Sequence, residues 1–546
     1  MTEMTWHGWG ARERPRRLPR AGRELLARET GLRRRPTPPV TEAEVRLREP
    51  ALPEAARAAL AAVVGEDNVR DDRASRLRHA GGKSYLDLVR RRRGDASRAP
   101  DAVIVPGDHD EVVAVLRACG DHRVAVVPFG GGTSVVGGVE PDRGEFTSLV
   151  ALDARRLARL LDVDPVSGVA RLESGLRGPD AEALLRARGR TLGHFPQSYE
   201  YATLGGFAAT RSAGQASSGY GRFDDLVTGL RVATPRGSLD LGRAPASAAG
   251  PDLRELLLGS EGTLGVITEL SLRVRPVPET RRYEGWCFAS LDDGLAALRR
   301  LAQDGHATGA LPDVARLSDA TETRTTLALA DGAGARAVRA YLRARGRASG
   351  CLLITGWEGG SRAVRARRGA GADVLRRAGG IPLGRPLGAA WLGNRFGAPY
   401  LRDDLLDAGA LVETLETATT WARVPALHAA VRDALRQELT GWGTPPLVQC
   451  HVSHLYPTGA SLYFTVVAER DDGAPEEQWL AAKRAAGDAI AGRRATITHH
   501  HAVGLDHRPW MPSEVGDLGL DALRAVKQRL DPAGILNPGK VVTPHD

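Results

Sequence analysis

The chain has 546 residues, 42% of them hydrophobic and 26% charged, with a formal net charge of +9. That length exceeds one core and implies about two to four domains, while the composition excludes a disordered or collagen-like chain. No apolar run approaches the roughly 18–20 residues of a bilayer span, and four cysteines scattered at 119, 287, 351 and 450 argue against a disulfide scaffold, so a reduced, cytosolic chain is expected.

Residues 1–36 hold ten Arg and four Glu, six of the nine net charges. Pro36, Pro38, Pro39 and Pro50 break any long helix, so an irregular, solvated arm is expected. No apolar stretch follows its Arg pairs, as a secretory signal would need. Only Trp6 and Trp9 interleave with its arginines, and no nucleic-acid partner is expected.

Residues 51–64 predict a helix, 102–106 a buried strand, 110–118 a helix with an acidic first turn, and 124–129 a second strand. Strands follow at 148–153 and 169–173, then a helix at 179–188 and a strand within 263–274, before Pro276 and Pro278 mark a boundary. Beyond 280 the pattern restarts: strand 283–288, helix 291–303, strand 314–317, helix 335–348, strand 351–356, helix 361–377. That alternation implies an α+β layer with helices against one sheet. Residues 380–445 read as helix-rich, followed by strands at 447–452 and 461–468 and a final helix at 518–529.

The most informative stretch is Pro128-Phe-Gly-Gly-Gly-Thr-Ser-Val-Val-Gly-Gly138, with five glycines in nine residues. Glycine lacks a Cβ, so successive N–H groups can turn inward and hold a pyrophosphate. A dinucleotide fingerprint fails because Val135 stands at its third glycine, and a P-loop fails because Leu77 stands at its first. Two further small-residue loops, 196–214 and 259–265, suggest one extended ligand crossing a domain.

His499-His500-His501 can move protons near neutrality. On a strand the three could not all face one site, because side chains alternate. Cys450, His451 and His454 could join a metal site, but no acidic ligand cluster stands nearby in sequence, and no metal is expected. Tyr463 reads by itself as a strand aromatic, and any single arginine as a surface residue.

Together the loops resemble the FAD-binding family typified by vanillyl-alcohol oxidase and p-cresol methylhydroxylase. Within it the chain is most similar to the alkyldihydroxyacetonephosphate synthases. Residues 128–140, 203–214, 225–227, 233–237, 250–252, 259–268, 275–279 and 498–501 carry the resemblance. It implies an α+β fold: a two-subdomain FAD domain of p-cresol methylhydroxylase type, then an α+β cap with an antiparallel sheet. The expected division is an arm and helical region 1–95, the FAD domain 96–278, the cap 279–490, and a C-terminal segment 491–546 completing the active site.

Carried over by position, Pro128, Phe129, Gly130, Gly131, Gly132, Thr133 and Ser134 would wrap the FAD pyrophosphate. Gln197, Ser198, Thr203, Gly206, Thr210, Arg211, Ser212, Ala213, Glu261, Gly262, Thr263, Leu264, Gly265, Val266 and Ile267 would line the rest. Many family members tether flavin through a histidine; the first loop has none, so non-covalent FAD is expected. The resemblance gives Tyr463, His499, His500, His501 and Arg316 catalytic roles, and makes Arg402 a substrate-binding arginine. Forked guanidinium groups suit a phosphate or carboxylate.

The implied reaction exchanges the acyl group of acyl-dihydroxyacetone phosphate for a fatty alcohol in ether-lipid synthesis. Flavin N5 holds the carbon between the two steps, without net redox. The alternative is an FAD oxidase or dehydrogenase of an alcohol or 2-hydroxy acid. The family's hydroxyacid dehydrogenases would show G-D-G-N-x-H near 451–462 and E-H-G-x-G near 500, and this chain has neither. The chain ends Thr543-Pro-His-Asp546, which is not a peroxisomal signal. A bacterial cytoplasmic homodimer is expected, with a small-molecule or lipid-phosphate substrate and peripheral contact with a membrane.

Overall fold

The computed structural model describes residues 3–11, 16–33, 35–330 and 332–542, with the backbone alone at His306. The C-terminal residues 543–546, read above for a targeting signal, lie outside the described residues. Among the described residues no helix is long and apolar enough to cross a membrane. The four cysteines are buried and unpaired.

The fold is α+β; among the described residues two sheets have two strands each, and three larger sheets have four or more. In the first, Ala102–Ile104, Ser148–Asp153 and Val124–Phe129 run parallel, with short Val69–Arg70 antiparallel at the edge. Parallel strands buried on both faces are uninterrupted apolar runs, and Val124-Ala-Val-Val127 is one. Helices Glu54–Val64 and His109–Asp121 share its core, to which Ile535 and Leu536 return from the far end of the chain. The second sheet is antiparallel, in the order Gly237–Leu241, Val227–Thr234, Val266–Arg273, Val169–Glu173, Leu160–Asp164.

The third sheet has seven antiparallel strands, ordered Ile381–Gly384, Thr280–Phe288, Cys351–Gly359, Val314–Ser318, Leu447–Val452, Gly459–Glu469, Ala410–Thr420. Side chains alternate between its faces. Ala315, Leu317, Val448, Cys450, Leu462, Phe464 and Val466 enter the core beneath helices such as Val424–Gly441, which offers Val424, Leu427, Val431 and Leu435 at helical spacing. The intervening residues, Arg316, Gln449, His451, Tyr463 and Thr465, face a cavity.

Region 380–445 is helix-rich as expected, with helices Arg385–Asn394, Ala398–Asp407 and Val424–Gly441, but Ala410–Thr420 within it is an 11-residue strand paired along its whole length with Gly459–Glu469. Its Leu411, Leu415, Glu413 and Glu416 mimic helical spacing, and sheet pairing overrides that local signal. Contrary to expectation, the basic arm is not wholly irregular and solvated among its described residues: its arginines are largely exposed, but a stripe between them is buried. Arg20–Thr30 forms a helix with Gly22, Leu25 and Leu26 buried, and Trp9 is 4% exposed against Tyr201 and Tyr400. The Trp9 amide donates to both Asp403 carboxylate oxygens at 3.0 Å, and Glu3 accepts from Arg155 at 2.7 Å. Arginine-rich composition hid a thin apolar stripe.

Trp9→Ala should therefore loosen the arm, since deleting a buried Trp side chain costs about 3–5 kcal/mol. Tryptic cleavage between residues 16 and 23 should become several-fold faster; cleavage at the wild-type rate would mean that the arm is held by other contacts.

Candidate functional site

One cavity of about 1040 Å³ runs from the glycine loop of the first sheet, past the loops of the second, to the face of the seven-stranded sheet. The Val124–Phe129 strand delivers Gly130, Gly131 and Gly132 to the wall. A Cβ on Gly131 would lie 2.1 Å from the Tyr201 carbonyl oxygen, and Gly132 has φ of +64°. Only glycine lets the backbone follow this path without strain.

Of the residues expected at the cofactor, Pro128, Phe129, Gly130, Gly131, Gly132, Thr133, Ser134, Gln197, Ser198, Thr203, Gly206, Thr210, Ser212, Ala213, Glu261, Gly262, Gly265, Val266 and Ile267 border the cavity. Arg211, Thr263 and Leu264 do not. Arg211 turns away to Asp224, Glu255 and the Leu258 carbonyl. The Thr263 hydroxyl donates to the Ser260 carbonyl, and Leu264 lies in the core of the second sheet. A contiguous motif contributes only the side chains whose direction suits, and these three point elsewhere.

Several buried polar atoms on this wall have no protein partner: Ser174 Oγ, Gln215 Oε1, His501 Nδ1, and Nε and Nη2 of Arg402. Buried groups of this kind need a hydrogen-bonding partner. The glycine cradle and these open groups fit a large polar ligand with a pyrophosphate, as FAD is.

At the cap end, His451 and Tyr463 are paired across strands Leu447–Val452 and Gly459–Glu469. The Tyr463 ring lies between His451, at 4.9 Å and 21° between ring planes, and His500, at 5.9 Å and 15°. Arg316 Nη2 lies 2.9 Å from Glu322 Oε1 and 3.1 Å from His451 Nδ1, so Arg316 reaches the same group of rings. His501 packs edge-on against Tyr463 at 5.4 Å.

The histidine triplet is not on a strand but in a bend, which removes the alternation expected of it. His500 and His501 border the cavity. His499 stands behind them, with Nε2 2.5 Å from the Tyr456 hydroxyl and Nδ1 3.0 Å from His500 Nδ1. His454, His499 and His500 bring ring nitrogens within 4.8 Å of one another. His454 Nδ1 lies 2.6 Å from Ser217 Oγ, and its ring meets those of His499 and His500 at 5.0 and 5.2 Å between centroids, so the three nitrogens could also hold a metal ion.

Burial dominates the proton affinities. It lowers His500 despite the opposing pull of Glu416, and takes His501 down to about 3. It pushes the Tyr463 phenol up to about 12. At working pH the imidazoles are poised neutral and the phenol protonated.

Sequence reasoning missed Glu416, which is fully buried on the cavity-side strand opposite Tyr463. Burial opposes its ionisation, but the three histidines and Thr498 outweigh that and hold its carboxyl well below the usual range. Its one signal was a carboxylate that breaks the apolar alternation of a strand not recognised as one. Arg402, on Ala398–Asp407, is 9% exposed, with Nη1 4.0 Å from Glu413 Oε1.

Comparison with known proteins matches residues 100–241 to an FAD binding domain and 277–541 to the C-terminal domain of FAD linked oxidases. The alkyldihydroxyacetonephosphate synthase of Trypanosoma brucei brucei is 33% identical over 99% of this chain and 92% of its own. A solved alkyldihydroxyacetonephosphate synthase superposes with TM-score 0.86 at 29% identity, covering 99% of both chains. The structure of p-cresol methylhydroxylase with substrate bound shares the fold, with TM-score 0.67 at 15% identity over 91% of this chain and 99% of its own. FAD is the cofactor.

Gly131→Ala should weaken FAD retention. Overpacking costs about 1–3 kcal/mol, or about 5- to 150-fold in Kd, read from flavin absorbance against protein absorbance after gel filtration. Gly120→Ala, where a Cβ meets nothing within 4 Å, should retain FAD like the wild type.

Proposed function

Because the chain belongs to the alkyldihydroxyacetonephosphate synthase family, we propose that it exchanges the acyl group of acyl-dihydroxyacetone phosphate for a long-chain alcohol, releasing a fatty acid and forming an ether lipid precursor. One observation carries this reading: a glycine cradle, a buried guanidinium with open donors and an apolar branch share one cavity. The branch is walled by Leu18, Leu26, Leu329, Leu405, Val412 and Val467, two of them from the N-terminal arm. A small hydroxy acid has no use for such a branch; a hydrocarbon chain gains about 0.8 kcal/mol for each buried CH₂ there.

In this reading Arg402 takes the phosphate through Nε and Nη2, which have no protein partner. Arg316, braced by Glu322, faces a second anionic group, the carboxylate that leaves. FAD, bound without a covalent tether, supplies the electrophilic ring chemistry on which the exchange depends. The chain supplies proton traffic. His500, neutral through burial, removes a C1 proton of the substrate and returns it after the exchange. Tyr463, protonated at working pH, donates towards the departing carboxylate and recovers its proton from the incoming alcohol. Protons therefore balance, with the alcohol's proton leaving on the fatty acid. His499 hydrogen-bonds both Tyr456 and His500 and relays charge behind the site. His501 packs against Tyr463 and offers an open Nδ1 to the ligand. The substrate's hydrocarbon chain favours contact with a membrane surface, and a cytoplasmic homodimer remains part of the proposal.

Tyr463→Phe and His500→Ala should each lower kcat for ether formation by about 10²- to 10⁴-fold with flavin content unchanged. Turnover surviving in both would overturn these assignments. Arg402→Ala should raise KM for the phosphate ester more than it lowers kcat; an unchanged KM would place the phosphate elsewhere.

A further inference from the structure

The segment that carries the histidine triplet has no regular structure of its own. Its backbone amides have to find acceptors, and they find a single carboxylate. Glu416 Oε2 accepts from the His499 amide at 2.6 Å, while Oε1 accepts from the His500 amide at 3.0 Å, the His501 amide at 2.9 Å and the Thr498 hydroxyl at 2.6 Å. Three successive amides converging on one anion form a nest. The anion in this nest belongs to the strand that faces Tyr463 residue for residue. Oε2 also lies 3.5 Å from His500 Nδ1.

We propose that Glu416 is a positioning residue for proton transfer: its carboxylate fixes the 498–501 bend so that His500 stacks on Tyr463, and it supplies the counter-charge for His500 when that ring holds a proton. The inference rests on the proton-transfer reading given above. Glu416 acts through His500 rather than on the substrate, since its oxygens are occupied by the bend. A glutamine cannot replace it, because the amide NH₂ would point a donor at donors.

The pH behaviour follows from what faces His500. His454, His499, His501 and Tyr463 surround it, Arg222 and Glu416 are the charges that act on it, and His194 lies within its electrostatic reach. Arg222 disfavours the imidazolium and Glu416 favours it. Loss of the Glu416 charge therefore makes His500 release its proton at lower pH. The limb of the kcat profile in which activity rises as His500 becomes neutral moves in the same direction.

The test uses FAD-loaded full-length protein carrying Glu416→Gln or Thr498→Val. Glu416→Gln should lower kcat at least tenfold, leave KM for the phosphate ester within about twofold, and move the acid limb of the profile to lower pH. Thr498→Val keeps the charge but removes one donor; it should lower kcat about three- to tenfold with the limb in place, and it serves where Glu416→Gln does not fold. NMR of ¹⁵N-histidine-labelled protein, with His500→Gln to assign the resonance, follows the His500 titration directly. It reads the positioning even in a protein that proves inactive towards acyl-dihydroxyacetone phosphate, so failure of the substrate reading is separable from failure of this one. An unmoved His500 titration in Glu416→Gln, or wild-type kcat in Thr498→Val, would overturn the proposal.

Discussion

The 11-residue pairing of Ala410–Thr420 with Gly459–Glu469 sets the position of nearly everything in the cap end of the cavity. Its register puts Glu416 opposite Tyr463, and the next pairing, to Leu447–Val452, puts His451 beside Tyr463. A one-residue slip would exchange the two faces of the strand. Leu462, Phe464 and Val466 would then enter the cavity, and Tyr463 would enter the core. The apolar face packed under the helices forbids that slip, so hydrophobic burial on one side of the sheet fixes chemistry on the other.

The remaining walls are brought in by segments distant in sequence. The cradle needs glycines where Tyr201 and Pro128 come close to the backbone. The C-terminal segment supplies the histidine bend and closes onto the loop that carries Glu261, which accepts from the amides of Val503 at 2.7 Å and Gly504 at 3.0 Å. Burial pushes that carboxyl up to about 7. The arm reaches across to Asp403, the neighbour of Arg402, and so holds the helix that brings the Arg402 guanidinium to the cavity.

How much of this could be read in advance depended on where the information lies. Strands Val124–Phe129, Ser148–Asp153, Val169–Glu173 and Leu447–Val452 and helix Ser361–Arg377 matched their expected spans, because burial writes apolar runs or helical spacing directly into composition. The glycine loop was legible for a similar reason: few structures need five glycines so close together. The arm was not, because its partner Asp403 lies 394 residues from Trp9 and its apolar residues are sparse among arginines. Glu416 was not, because the groups it binds are mostly backbone amides, which carry no residue signature. Arg211, Thr263 and Leu264 stood in the right motifs, but the direction of a side chain is a property of the folded loop. Arg316 and Arg402 could not be singled out among so many arginines by composition, and only the fold shows both lining the same cavity.

The proposed exchange consumes no oxidant. The most direct test is an anaerobic incubation of the FAD-loaded protein with acyl-dihydroxyacetone phosphate and a long-chain alcohol, following flavin absorbance and both products together. Equal amounts of ether product and free fatty acid, formed over many turnovers with the flavin spectrum ending in its oxidised form, are the predicted result. Flavin bleached in proportion to an oxidised substrate, with no ether formed and colour returning only when an electron acceptor is added, would contradict it.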